Sequence, residues 1–104
     1  METLHFRFEK GTRGIAAPPR LVGIVGSGNL EVLIEPFPLR GACEIEVKTA
    51  AMGFAATWQA VMADFHARWQ LADTRIAIND MGATPAVVSL RLDQAAQTVT
   101  GGNP

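Results

Sequence analysis

The sequence is poor in the residues that build covalent or metal cross-links, with one cysteine and two histidines among 104 residues. A single cysteine excludes an internal disulfide and any zinc site built from several cysteines. The net charge of −1 gives no basic surface of the kind that binds nucleic acid or an anionic membrane. No segment approaches the roughly 20 apolar residues that span a bilayer, and the acidic start Met1-Glu2-Thr3 does not resemble a signal peptide. We therefore expect a soluble cytoplasmic protein.

The composition is that of an ordinary globular chain. Hydrophobic residues make up 48% of the sequence and charged residues 18%, which separates it from disordered chains. A length of 104 residues allows a single core and is too short for two. We expect one domain over residues 1–104, ordered over about 2–98, with a flexible tail at 99–104.

Four β-strands are predicted in the first half of the sequence. Apolar and polar residues alternate in the first and the fourth of them, as they do in half-buried strands. The four strands are expected at residues 4–9, 20–25, 30–35 and 43–49. Residues 10–19, with two glycines and two prolines, are predicted to form a loop, and residues 26–29 a turn.

The hydrophobic period changes in the second half, where two helices are predicted. The first helix is expected at about residues 54–71. Its apolar stripe comprises Trp58, Val61, Met62, Phe65 and Trp69. A short fifth strand at 75–78 and a turn at 79–82 follow. Thr84 can cap the second helix, and Pro85 suits its first position. The core-facing residues of the second helix are expected to be Val87, Val88, Leu92 and Ala95.

The order of these elements, β-β-β-β-α-β-α, favours an α+β fold. Strands four and five flank a helix, which favours a right-handed βαβ crossover. Charged residues along the strands indicate that one face of the sheet meets solvent. We therefore predict a two-layer sandwich in which a mixed five-stranded β-sheet carries two helices on one face.

Most side chains that could perform chemistry are predicted to be structural. His5 lies on the polar face of the first strand and His66 beside the apolar stripe of the first helix, and neither has metal-ligand spacing. Cys43 alternates with charged residues and should point into the core, where a thiol is inert. Glu44 and Glu46 are predicted to lie on a solvated strand face. Trp58 and Trp69, at helical spacing, are predicted to pack in the core.

One serine stands between two glycines in the segment Gly26-Ser27-Gly28-Asn29. This segment separates two apolar runs and therefore predicts a hairpin, because glycine permits a positive φ and asparagine tolerates it. The segment lacks the lysine of a phosphate-binding loop and the strand-to-helix context of a hydrolase nucleophile. A hydroxyl on such a turn can also enter another enzyme's active site and be modified there. The residues alone leave the plain turn and the modification site as alternatives.

Two longer segments resemble the acyl carrier, or delta, subunit of malonate decarboxylase. The first is Val25-Gly26-Ser27-Gly28-Asn29-Leu30-Glu31-Val32-Leu33-Ile34-Glu35-Pro36, which resembles that family's acceptor segment. The second is Ile78-Asn79-Asp80-Met81-Gly82-Ala83-Thr84-Pro85-Ala86-Val87-Val88, and Trp58-Gln59-Ala60 in the first helix is similar as well. The likeness covers most of residues 2–96. The gamma subunit of citrate lyase is a more distant relative.

The resemblance implies a carrier that performs no catalysis itself. It implies that Ser27 is joined through a phosphodiester to 2′-(5″-phosphoribosyl)-3′-dephospho-coenzyme A, whose thiol carries acetyl or malonyl. It further implies an acyltransferase (alpha) subunit, decarboxylase (beta and gamma) subunits and a holo-carrier synthase as partners. The turn residues Gly26, Gly28 and Asn29 would present the serine. The four-helix fold of ordinary acyl carriers is not implied, because their Asp-Ser-Leu pattern is absent.

Three residues bear on what the resemblance implies. Asn29 stands where the family pattern leads us to expect aspartate. Asparagine keeps the turn preference of aspartate but lacks its negative charge, which a transferase could recognise. Ala83 and Thr84, at the start of the second helix, are predicted to contact a phosphate of the arm or a partner.

Three alternatives to a malonate decarboxylase carrier stay open at this point. A carrier of a related lyase, such as citrate lyase, would differ in the subunits that co-purify with it. A small protein-interaction domain would keep an unmodified turn, and Ser27→Ala would leave its complex fully active. A stand-alone hydrolase using Ser27 would need a base beside the serine, and no triad can be assembled from this sequence.

Overall fold

The computed structural model describes residues 1–15, 23–27 and 29–104, with the backbone alone described at residues 23 and 27. The strands are β1 (Glu2–Phe8), β2 (Arg13–Gly14), β3 (Gly23–Ser27), β4 (Leu30–Pro36), β5 (Cys43–Thr49), β6 (Leu71–Ala72) and β7 (Thr74–Asp80). The helices are α1 (Ala55–Trp69) and α2 (Pro85–Thr100). Neither of these two helices, in the part of the chain described, is long and apolar enough to cross a membrane.

Five strands form one mixed sheet in the order β1-β5-β7-β4-β3. β5 and β7 run parallel and are joined through α1, while every other neighbouring pair in this sheet is antiparallel. Both helices pack on the same face of the sheet, with α2 over β3 and β4 and α1 reaching β1. The predicted α+β two-layer fold, with its parallel pair across a helix, is confirmed.

The core lies between that face and the helices. Alternate residues of the central strands are buried there: Val32, Ile34, Ile45, Val47, Ile76 and Ile78. The helices add Trp58, Met62, Phe65 and Trp69 from α1, and Val88, Leu92, Ala95, Ala96 and Val99 from α2. Burying a large apolar side chain of this kind contributes about 1.5–3 kcal/mol. The predicted apolar stripes therefore hold the two layers together.

Cys43 and the two histidines lie where the sequence predicts. Cys43 is fully buried, and burial together with the Glu44 carboxylate raises the pKa of its thiol to about 12. His66 is half-buried and stacks on the Phe8 ring at 4.8 Å between centroids, and burial lowers its pKa. His5 is exposed, within 3.8 Å of the Glu46 carboxylate. None of these three side chains lies at the end of the sheet where β3 reaches Ser27.

The small parallel pair of β2 and β6 was not predicted. It is formed by Arg13–Gly14 and Leu71–Ala72, where the first long loop crosses the end of α1. Gly11 fits there because a Cβ at this position would come within 2.2 Å of the Leu71 carbonyl oxygen. The described residues do not include residues 16–19 of that loop. They also do not include residues 20–22 of the predicted second strand.

Several predicted boundaries were wrong by a few residues. β7 continues through Asn79 and Asp80, which had been assigned to a turn, because both pair with β4 on one side and β5 on the other. The predicted tail begins too early, since α2 extends to Thr100 with Val99 buried and ends at Gly101 in the left-handed conformation. α1 ends at Trp69, two residues before the predicted end, with Gln70 left-handed.

Asp93, in the middle of α2, is bonded to the last residues of α1. One Asp93 carboxylate oxygen accepts hydrogen bonds from Trp69 Nε1 at 2.9 Å and from Arg68 Nη1 at 2.6 Å. Arg68 also donates to Asp64 one turn earlier on α1. A charge-assisted bond of this type is stronger than a neutral one. Asp93 therefore fixes α2 against the end of α1.

Candidate functional site

Ser27 is the last residue of β3, an edge strand of the sheet. It pairs with Leu30, the first residue of β4, so residues 28 and 29 alone separate the two strands. The predicted hairpin is confirmed, but Gly26 was wrongly assigned to the turn because it pairs with Glu31 inside the ladder. Gly28 lies outside the described residues, and Asn29 is an exposed turn residue.

The conformation of Gly26 does not explain why this residue is glycine. A Cβ built there would lie 3.7 Å from the Glu31 side chain and from the Leu30 carbonyl oxygen, which is ordinary van der Waals contact. A side chain would therefore fit at residue 26. Gly26 is exposed, so the missing side chain leaves the surface beside Ser27 open to a molecule that approaches the hairpin from outside.

The two segments that carry the family resemblance are neighbours in the sheet. β4 pairs with β7 along its whole length, from Leu30 opposite Asp80 to Pro36 opposite Thr74. The Met81 amide donates a hydrogen bond to the Asn29 carbonyl oxygen at 2.7 Å, and Asn79 Nδ2 donates to the Glu31 carboxylate at 3.2 Å. The hairpin of β3 and β4, whose first strand ends at Ser27, is thus anchored to the loop that leads into α2.

Asp80 organises that loop, and sequence reasoning missed it. Its carboxylate is buried, and one oxygen accepts the Thr49 hydroxyl at 2.8 Å. The other oxygen accepts the amides of Gly82 and Ala83, at 3.2 and 2.8 Å. Aspartate commonly bonds the backbone two residues ahead in this way. The pattern Asp80-Met81-Gly82 was the signal available in the sequence.

Ala83 and Thr84 lie at the start of α2, as predicted. Thr84 is the N-cap residue, and its hydroxyl oxygen accepts the Val87 amide at 3.3 Å, with Pro85 in the first turn. The Ala83 amide already donates to Asp80, so a phosphate would have to compete for it. Contact of these two residues with a phosphate or a partner stays a prediction.

Replacing Thr84 with alanine is expected to lower the free energy of unfolding by about 1 kcal/mol, because the Val87 amide loses its cap. Urea denaturation of Thr84→Ala and of Thr84→Ser, which keeps the cap oxygen, measures the difference. If the alanine and serine variants are equally stable, the cap contributes nothing. If acyl transfer and arm mobility are both unchanged in Thr84→Ala, Thr84 does not hold a phosphate.

No histidine that could act as the base of a serine hydrolase stands near the hairpin in the described part of the chain. His5 lies on β1, and His66 stacks on Phe8 of the same strand. β1 and β3 are the two edges of the five-stranded sheet, four strand spacings or roughly 19 Å apart. Among the described residues there is also no group of three or more metal-ligating side chains. The stand-alone hydrolase is therefore unsupported.

Residues 18–99 match the family model described as the malonate decarboxylase delta subunit (MdcD). The chain belongs to this family. A malonate decarboxylase acyl carrier protein of Xanthomonas euvesicatoria is 62% identical over 103 residues, covering 97% of each chain. Proteins of the same description from Stenotrophomonas maltophilia K279a and Burkholderia cepacia are 56% and 54% identical, covering 100% and 95% of this chain and 99% and 91% of their own.

A solved structure extends the likeness to three dimensions. It is the crystal structure of a Pseudomonas malonate decarboxylase hetero-tetramer in complex with malonate, one chain of which matches at 39% identity and a TM-score of 0.78. The match covers 95% of this chain and 99% of that one. This delta subunit is accordingly an acyl carrier of malonate decarboxylase, a carrier rather than a catalytic subunit. An acyl carrier of this family implies a prosthetic group that holds the acyl unit.

Proposed function

We propose that this delta subunit carries acetyl and malonyl thioesters on 2′-(5″-phosphoribosyl)-3′-dephospho-coenzyme A attached to the Ser27 hydroxyl. The observation that carries the proposal is the position of Ser27, at the tip of a hairpin whose partner strand is anchored to β7. Gly26 and Asn29, the described neighbours of the attachment point, are exposed and leave room for a bulky group. When bound, the group supplies the thiol that holds the acyl unit.

The protein supplies position rather than chemistry in this proposal. The hairpin is held by strand pairing and by the Met81–Asn29 hydrogen bond, so the attachment point moves with the body of the domain. A tether from a fixed point gives the acyl group a high effective concentration at each site that it can reach. Residues 1–104 then form one carrier domain, whose cytoplasmic location stays a prediction.

The proposed partners are an acyltransferase (alpha) subunit, decarboxylase (beta and gamma) subunits and the holo-carrier synthase that attaches the arm. Support comes from the similar chain in the Pseudomonas enzyme, which is part of a hetero-tetramer. The arm's phosphates add negative charge at the hairpin, so a partner should present arginine or lysine there. Asn29 brings no charge of its own, and a partner that relies on a carboxylate at this position would bind more weakly.

The intact mass of the protein, isolated from its own cells and mapped around Ser27, tests this proposal directly. We expect a single addition on Ser27 that is heavier than phosphopantetheine and contains adenine and an additional ribose phosphate. Protein made in a host without the attaching enzymes is expected to be bare and serves as the control. An unmodified Ser27 in an active complex would leave a protein-interaction domain with a plain hairpin.

A further inference from the structure

An apolar groove lies beside the hairpin, where the carboxyl ends of the parallel strands β5 and β7 meet the first turns of α1 and α2. The cavity has a volume of about 410 Å³, which is within the usual range for small-molecule sites. The loops after β5 and β7 both lead to helices on the same face of the sheet, and the groove lies between the starts of these helices and the strand ends. The groove is therefore large enough to hold a small ligand.

The walls of the groove are apolar and nearly free of charge. They are formed mainly by Phe54, Trp58, Val61, Ala83 and Val88. Among the described residues, Asp80 is the one charged residue that lines the groove, and its two oxygens already accept three hydrogen bonds. No lysine, arginine or histidine is among the lining residues in the described part of the chain. A neutral group fits these walls, whereas an anion would meet Asp80 without a compensating cation.

The groove is close enough to Ser27 for a group attached there to enter it. Ser27 pairs with Leu30, and Leu30 pairs with Asp80, so two strand spacings of about 10 Å in total separate Ser27 from the groove wall. The Met81 amide, between the lining residues Asp80 and Gly82, is bonded to the Asn29 carbonyl oxygen. The attachment point and the groove therefore keep a fixed separation.

We propose that this groove binds the neutral acyl-thioester end of the arm, and that it binds acetyl in preference to malonyl. The proposal rests on the proposed function, since it takes the arm to be attached at Ser27. The acetyl end has no charge, and its carbonyl oxygen can accept from first-turn amides of α1, whose N-cap residue Phe54 makes no side-chain cap hydrogen bond. The malonyl end carries a carboxylate, which Asp80 disfavours. The acetyl form is then sheltered, and the malonyl form is left free to enter a partner subunit.

Binding of free probes to the unmodified protein tests the groove without any enzyme activity. The probes are S-acetylpantetheine and S-malonylpantetheine, titrated into ¹⁵N-labelled protein with Ser27 bare. We expect the acetyl probe to shift the amide signals of Ala51, Gly82 and Ala83 in a saturable manner. We expect the malonyl probe to bind roughly tenfold more weakly, the effect of one uncompensated charge.

A pair of variants on α1 separates the groove from the rest of the surface. Thr57 and Gln59 are both exposed on this helix, and Thr57 alone of the two lines the groove. Thr57→Phe is expected to fill the groove and weaken acetyl-probe binding at least about fivefold, whereas Gln59→Phe, the matched control, leaves it unchanged. In acetylated holo-protein, nuclear Overhauser effects should join a ¹³C-labelled acetyl methyl to the Val61 and Val88 methyl groups.

Three results would overturn the proposal. The acetyl probe could leave the groove signals unshifted, the two probes could bind equally, or Gln59→Phe could weaken binding as much as Thr57→Phe. If the probes fail while Phe54→Ala weakens assembly with the other subunits, the groove holds a partner's side chain instead. The proposed carrier function is contradicted by a different result, an unmodified Ser27 in the active complex. The probe titration uses protein with Ser27 bare, so the two failures can be told apart.

Discussion

Replacing Ser27 with alanine is expected to reduce the malonate decarboxylase activity of the reconstituted complex to background while leaving the fold intact. The proposed arm has one point of attachment, and alanine removes the only atom that can form the phosphodiester. Ser27 ends an edge strand beside the exposed residues Gly26 and Asn29, so the free energy of unfolding should change by no more than about 0.5 kcal/mol. Activity, intact mass and thermal unfolding are measured on the same preparation.

The matched control for this variant is Ser89→Ala, because Ser89 is the only other serine in the chain. It lies on α2, well away in sequence from the hairpin. The Ser89→Ala protein should keep both the added mass and the activity. A Ser27→Ala complex with full activity contradicts the carrier proposal, and a Ser27→Ala protein that retains the added mass contradicts the assignment of the attachment residue.

The fold could be predicted from the sequence where local patterns were long and regular. β5 was predicted at its observed bounds, since apolar and charged residues alternate over the whole strand. The stripe from Trp58 to Trp69 likewise located α1. The pair of two-residue strands β2 and β6 is too short to show a period. The turn propensity of Asn79 and Asp80 was overridden, because strands on both sides bind their backbone.

The candidate site was only partly visible in the sequence. Local turn chemistry predicts the hairpin at Ser27, but it does not distinguish a plain turn from a modified serine, and only the family resemblance made that choice. The neighbours of the hairpin depend on pairing between β4 and β7, and 37 residues of the chain lie between the end of β4 and the start of β7. The local pattern Asp80-Met81-Gly82 indicated the turn at Asp80. Since strand pairing is set by the whole core, the Thr49–Asp80 hydrogen bond and the groove could not be found from local patterns.

Replacing Asp80 with alanine is expected to lower the free energy of unfolding by about 3 kcal/mol. The substitution leaves the Thr49 hydroxyl and the amides of Gly82 and Ala83 without their acceptor at a buried position. Each unsatisfied buried donor costs about 1–3 kcal/mol, and water can reach some of these groups once the loop loosens. For a domain of this size the melting temperature should fall by roughly 15 °C.

Two further aspartate variants show whether the loss comes from the buried network. Asp80→Asn keeps one carbonyl oxygen for the two amides and loses the acceptor for Thr49, so its stability should fall between those of the alanine variant and the original protein. Asp64→Ala breaks an exposed bond to Arg68 and should cost less than about 0.5 kcal/mol. Equal losses in Asp80→Ala and Asp64→Ala would mean that the buried carboxylate does not hold the loop. Because Asp80 lies between the hairpin and the groove, a loosened loop should also weaken S-acetylpantetheine binding at temperatures where the variant is still folded.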